Sequence, residues 1–236
     1  MRLTAKLLIL FLAMNRLWAQ TPPAQDLMKQ DWANLQKYAA DNERTLESAN
    51  YPEVVFMGNS ITEMWAGQFP AFFEKHHFLG RGISGQTTPQ MLIRFTPDVI
   101  DLKPRAVVIL AGTNDIAGNT GFSTEKMITD NITAMAKLAE AQNIRVIICS
   151  ILPVYDYAWR PGLKPAEKII SINKFLETYA REHGHVFVDF HKVMKDERNG
   201  MQTQYSEDGV HPNTEGYRVM EPLILKGIEK ALNTED

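Results

Sequence analysis

The sequence predicts an α/β protein, a parallel sheet with helices on both faces. Two observations carry that expectation. Short β-rich apolar runs recur along the chain, and longer segments of helical periodicity lie between them. The runs are also nearly continuous in apolar residues, as strands covered on both faces must be. Composition agrees: 236 residues with 44% hydrophobic and 22% charged side chains suit a soluble globular protein and argue against disordered, collagen-like or coiled-coil chains.

The elements follow in order. Arg2 and Lys6 precede an apolar stretch from Leu7 to Met14, and Ala19 offers a small residue at a cleavage point, so residues 1–19 read as a secretory signal peptide. Asn15 and Arg16 interrupt the stretch far short of the about 20 residues a membrane span needs, which disfavours an uncleaved anchor. The mature protein is expected to be exported, periplasmic or secreted, without a stable membrane anchor. In residues 26–48, Met28, Trp32, Leu35, Ala39 and Leu46 recur at helical spacing, which predicts an amphipathic helix anchored in the core by its Trp and Leu residues.

Strands are then expected at 53–57 (EVVFM), near Phe78 and Leu79, at 105–111 (RAVVILA), 145–151 (RVIICSI) and 185–190 (HVFVDF). Helices are expected at 127–142 and 165–183, the latter opening on Pro165 and closing before Gly184. A last helix over about 213–232 should kink or restart at Pro222, which has no N–H to donate. No repeat, low-complexity tract or linker breaks the alternation, so residues 26–236 are expected to form one domain. Cys149 is the single cysteine, so an internal disulfide is excluded, and its apolar run favours a packed thiol over a nucleophile.

Charge narrows the partners. The chain carries 25 Lys and Arg against 28 Asp and Glu, a net charge of −3. Without the first 19 residues, which hold Arg2, Lys6 and Arg16 and no acid, it is −6. A basic phosphate-binding surface is therefore not expected, nor a nucleic-acid partner.

In open parallel sheets the working crevice lies beyond the carboxyl ends of the strands. Here those positions are polar: Gly58-Asn59-Ser60 after the first strand, GRGISGQTT after the second, Gly112-Thr113-Asn114-Asp115 after the third, and Asp208-Gly209-Val210-His211 before the final helix. This is the equipment of acyl transfer. A serine hydroxyl needs a neighbouring base, and histidine can serve. Ser60 and His211 fit those roles, and Asp208, three residues earlier, can hold the imidazole in the required tautomer. Pro212 disfavours helix at His211, leaving the ring in an extended loop. An oxyanion needs converging donors, for which the Ser60 amide, the Gly85 amide and the Asn114 side-chain NH₂ are candidates.

These four ordered blocks resemble those of the SGNH hydrolases, also called GDSL-type esterases and lipases, over essentially the whole mature chain. The resemblance implies a three-layer, flavodoxin-like sandwich around a five-stranded parallel sheet. It also implies Ser60 as nucleophile, Gly85 and Asn114 with the Ser60 amide as oxyanion hole, His211 as general base and Asp208 as triad acid. One departure stands out: the family's GDS is GNS here, and Asn59 keeps hydrogen-bonding capacity without the charge. The serine also lies outside the G-x-S-x-G elbow of the other large esterase fold.

Rival readings are weaker. Asp189 and His191, two residues apart, could form a second acid–base pair. His76 with His77 and His183 with His185 lack acid or thiol partners at metal-ligand spacing, so no metal or other cofactor is implied. The loop VYDYAWRPGLKP places Tyr155, Tyr157, Trp159 and Arg160 where specificity is usually built, and these with Asn59 are the candidate substrate contacts. Amphipathic rings suit sugars, and the resembled family includes enzymes that deacylate sugars, phospholipids and small aryl or alkyl esters. A serine esterase acting on short acyl groups, such as acetyl on carbohydrates, is the leading expectation. A lysophospholipase or aryl esterase of the same family, or a non-hydrolytic glycan-binding module, are the alternatives. No long apolar lid segment favours a triglyceride lipase.

Overall fold

The structure, a computed structural model, describes residues 30–233. The proposed signal segment at 1–19, the start of the expected first helix and the last three residues lie outside the described residues. The chain divides into two units, Met1–Trp32 and Ala33–Asp236, and the architecture below is that of the second.

Five parallel strands form one sheet: β1 (Val54–Gly58), β2 (Phe78–Gly82), β3 (Ala106–Leu110), β4 (Arg145–Cys149) and β5 (Val186–Val188), in the order β2-β1-β3-β4-β5. Alternation along the strands sorts side chains into two cores. Val55, Met57, Val107, Ile109, Val146 and Ile148 face one layer, made by α4 (Thr88–Phe95), α6 (Glu125–Glu140) and α7 (Ala166–Glu182). Val54, Phe56, Ala106, Val108, Ile147 and Cys149 face the other, made by α2 (Ser60–Gln68), α3 (Pro70–Lys75), α8 (Phe190–Met194) and α9 (Thr214–Leu232). Both faces are thus covered, which is why the strands read as unbroken apolar runs. A fully buried aromatic cluster anchors the second layer, where Trp65 meets Phe56 edge-on at 5.7 Å and stacks on Tyr217 at 5.5 Å. Between β3 and α6 lies one further short helix, α5 (Thr113–Ile116).

Three expectations need correction. The first helix, α1, spans only Ala39–Ser48, and Trp32, Leu35 and Leu46 are exposed rather than core anchors. Trp32 and Leu35 precede α1, so the spacing that joined them to Leu46 never becomes one helical face. The segment docks through polar groups instead: Tyr38 donates its hydroxyl to the Gly82 carbonyl, and buried Asn42 donates to Asp98 Oδ1 at 2.7 Å and accepts from Arg81 Nε at 2.9 Å. Second, α9 does not restart at Pro222 but runs through it as one helix, with the proline on the exposed side, where water can take the carbonyl it leaves unpaired. Third, α2, α3 and α4 follow β1 and β2 where the periodicity gave no helix. They are short, but α4 carries its own start signal, with Pro89 in its first turn and the Thr87 N–H donating to Gln90 Oε1 at 3.1 Å.

Among the described residues, no helix is long and apolar enough to cross a membrane.

Candidate active site

The strand order reverses at β1, with β2 on one side and β3 on the other, so the loops leaving these strands open on a common crevice. Each delivers one of the sequence's polar blocks.

Ser60 is the first residue of α2. The helix is capped by Asn59, whose Oδ1 accepts the Ile61 N–H at 3.1 Å. Because Asn59 does the capping, the Ser60 hydroxyl is left for another partner, and Oγ lies 2.9 Å from His211 Nε2. The turn is tight: a side chain at Gly58 would put its Cβ 2.1 Å from Thr62 Oγ1. Tyr217 braces it from α9, donating its hydroxyl to the Ile61 carbonyl at 2.8 Å.

His211 sits in a loop before α9, ahead of Pro212 and the Asn213 cap. Its Nδ1 is 2.7 Å from Asp208 Oδ2, and Asp208 Oδ1 accepts the N–H groups of Val210 and His211, each at 2.8 Å, and the Ser206 hydroxyl at 3.1 Å. Partial burial pushes the Asp208 carboxyl upward, but the hydrogen bonds from His211 and Val210 outweigh it and hold the group down at about 2. The carboxylate is therefore charged at neutral pH and fixes the proton on Nδ1, leaving Nε2 as the acceptor facing serine. An open depression of about 380 Å³ abuts this pair, lined by Met64, Gln68, Glu207, His211 and Asn213 among others.

Gly85 follows β2 with φ +77°, a conformation natural to glycine, and nothing lies within 4 Å of where a Cβ would be. Among the described residues neither the Ser60 nor the Gly85 N–H finds an acceptor. Asn114 lies buried in α5, and its Nδ2 donates to the Gln86 carbonyl at 2.9 Å, which fixes the amide and leaves it a second hydrogen. Its neighbour Asp115 turns away to α4, accepting the Thr88 N–H at 3.0 Å and the Thr88 hydroxyl at 2.6 Å. Burial raises its carboxyl to about 6 despite those bonds.

The substrate candidates separate. Tyr155 and Trp159 are half-exposed, as a contact residue must be. Tyr157 is fully buried, its hydroxyl donating to the Thr113 carbonyl at 2.9 Å, so it supports α5 and cannot touch a ligand. Asn59 is likewise buried and engaged as a cap, so its expected substrate contact is corrected too. Arg160 reaches the carbonyls of Ala117 and Gly118, tying its loop to the one after β3.

The rival pair is not joined by a hydrogen bond among the described residues: Asp189 Oδ1 caps α8 by accepting the Lys192 N–H at 2.9 Å, and His191 Nε2 is buried without a partner. Cys149 is buried, and burial pushes its thiol up, away from thiolate chemistry. Among the described residues, no group of three or more His, Cys, Asp or Glu side chains could hold a metal ion. Sequence reasoning missed Arg94, Gln86 and Tyr217, which hold the site from behind. Only Gln86, inside the ISGQTT block, carried a signal.

Residues 56–219 match the model of the GDSL-like Lipase/Acylhydrolase family. The chain belongs to that family. Among solved structures, a GDSL-like lipase from Bacteroides thetaiotaomicron VPI-5482 is 46% identical with a TM-score of 0.81, covering 86% of this chain and 100% of that one. A candidate acylhydrolase from Bacteroides fragilis NCTC 9343 is 45% identical with a TM-score of 0.82 over the same shares. An acetylxylan esterase from Xylanibacter ruminicola is 24% identical over 151 residues, 56% of this chain and 30% of that protein. The chain spans about a third of the length of the curated relatives it matches. These likenesses place the α/β sandwich among the acylhydrolase folds.

Proposed function

We propose that this GDSL-family protein is a serine esterase in which Ser60 is the nucleophile, His211 the general base and Asp208 its orienting acid. The observation that carries the reading is the continuous chain from Ser60 Oγ to His211 Nε2 at 2.9 Å and from His211 Nδ1 to Asp208 Oδ2 at 2.7 Å. Attack of Oγ on an ester carbonyl passes the hydroxyl proton to Nε2. The resulting oxyanion takes N–H donors from Ser60, Gly85 and the Asn114 amide, at the positive end of α2. Collapse expels the alcohol, which takes the proton from Nε2. Water, activated by the same histidine, then releases the acid and restores Ser60.

The proposed substrate is a short acyl ester, acetyl on a carbohydrate. The acetylxylan esterase among the relatives and the exposed Tyr155 and Trp159 rings support it. Export through residues 1–19, followed by a single catalytic domain, completes the reading.

Hydrolysis of p-nitrophenyl acetate by the wild type, lost in Ser60→Ala, is the expected result. Equal turnover in the two proteins would reject the mechanism. A panel of acetylated sugars and aryl esters of increasing chain length tests the substrate. Octanoyl esters outrunning acetyl by a wide margin would reject the carbohydrate assignment and favour a lysophospholipase or aryl esterase.

A further inference from the structure

Behind the crevice, out of reach of any substrate, lies a charged side chain that joins the separate parts of the site. Arg94, on α4, is 0% exposed. Its Nη2 donates to the Gly58 carbonyl at 2.9 Å, its Nε to Gln86 Oε1 at 2.6 Å, and its Nη1 to Asp98 Oδ2 at 2.8 Å. Gly58 is the last residue of β1, two before Ser60. Gln86 follows Gly85, and its carbonyl is the acceptor that fixes Asn114 Nδ2. One rigid guanidinium therefore spans the turn that carries Ser60, the loop that carries Gly85 and, through Gln86, the amide of Asn114.

The clamp is itself held. The Gly58 carbonyl also accepts the Ile83 N–H at 3.2 Å, closing β1 onto the loop after β2. Gln86 Nε2 donates to the Ala33 carbonyl at 2.7 Å, and Asp98 Oδ1 accepts from Asn42 at 2.7 Å. A buried ion pair adds little to stability compared with well-packed apolar side chains, so stability alone does not explain a charge here. A planar fork with donors in fixed directions explains it better, because a lysine ammonium cannot reproduce those directions.

We propose that Arg94 is a positioning residue that sets the mutual placement of the three oxyanion donors. It rests on the esterase reading above and deepens it. Arg94 touches no reacting atom. Its effect is on the aim of the Ser60 and Gly85 amides and of Asn114, where a shift of about 1 Å costs on the order of 100-fold in rate.

The test is a kinetic double-mutant cycle on the full chain with p-nitrophenyl acetate, rates normalised by titrating the reactive serine with a fluorophosphonate. Arg94→Lys keeps a cation facing Asp98 but loses the fork. It should lower kcat roughly 10- to 100-fold while KM moves less than about 2-fold. In the Asn114→Ala background the same substitution should cost measurably less than in the wild type, since one of the three donors it aims is already gone. A purely structural role would lower the melting temperature and leave kcat per reactive serine unchanged. If Arg94→Lys does not fold, Gln86→Leu cuts the link to the oxyanion loop while leaving Arg94 paired with Asp98, and the same kcat loss is expected. Unchanged kcat, a loss confined to KM, or full additivity with Asn114→Ala would overturn the assignment of Arg94 alone. Wild-type protein without Ser60-dependent turnover would overturn the esterase reading and this assignment with it.

Discussion

Asp208 grips His211 twice: Oδ2 holds the ring at Nδ1, 2.7 Å away, and Oδ1 accepts the same residue's backbone N–H at 2.8 Å. One carboxylate therefore sets both the imidazole's tautomer and the loop that presents it. Asp208→Asn should keep part of the backbone contact but present the wrong partner to Nδ1. Turnover should fall about 10³- to 10⁴-fold with little change in KM. A loss under 10-fold would show that the carboxylate does not control the tautomer.

The same carboxylate predicts an acid limit. Its folded value of about 2 lies below that of an unfolded Asp, so its contribution to stability is present above about 4 and is lost as pH falls towards 2. Melting curves from pH 5 to pH 2 should show the wild type losing more than Asp208→Asn. Parallel curves would contradict the assignment.

Asp115 titrates with the opposite sign. Its carboxyl is buried and raised to about 6, so between about 4 and 6 the folded state binds more protons than the unfolded chain. Relative to Asp115→Asn, wild-type stability should therefore fall as pH climbs through that window, by on the order of 2–3 kcal/mol. Chemical denaturation at pH 4 and pH 7 measures it, and a gap that stays constant or widens in favour of wild type would reverse the sign.

Asn114→Ala removes the one side chain among the three proposed oxyanion donors. A drop of about 10²- to 10³-fold in kcat at constant KM is expected. A rise in KM alone would make Asn114 a substrate-binding residue instead.

Trp65 tests the fold beneath the site. It is buried between Phe56 and Tyr217, and Tyr217 in turn holds the Ile61 carbonyl. Trp65→Ala should cost about 3–5 kcal/mol in stability, measured by urea unfolding. A loss under 1 kcal/mol would mean that the aromatic cluster does not bear on the packing of α2.

Much of this was legible because the physics was local. The runs around Val54, Ala106 and Val146 had to be buried on both faces, and polar blocks directly after such strands had to gather at one end of the sheet. Ser60, Gly85, Asn114 and the Asp208–His211 turn could therefore be picked out without coordinates, although their distances could not. What was hidden depended on long-range pairing. Nothing about Arg94 in the chain says that its guanidinium reaches Gly58, and nothing about Asn42 says that it meets Asp98 and Arg81. Tyr157 looked like a ligand contact because it shares an aromatic-rich loop with Tyr155 and Trp159. It is buried because the chain turns it inward onto Thr113. Asn59 looked like a weakened family position, yet it caps the helix that starts at Ser60, the proposed nucleophile.

The most direct measurement is where a fluorophosphonate lands. Incubation followed by peptide mass spectrometry should place one phosphonyl group on Ser60 in the wild type and none in His211→Ala, because only a serine that can hand its proton to Nε2 reacts. Labelling at any other residue, or equal labelling of Ser60 without His211, would contradict the triad at the centre of this site.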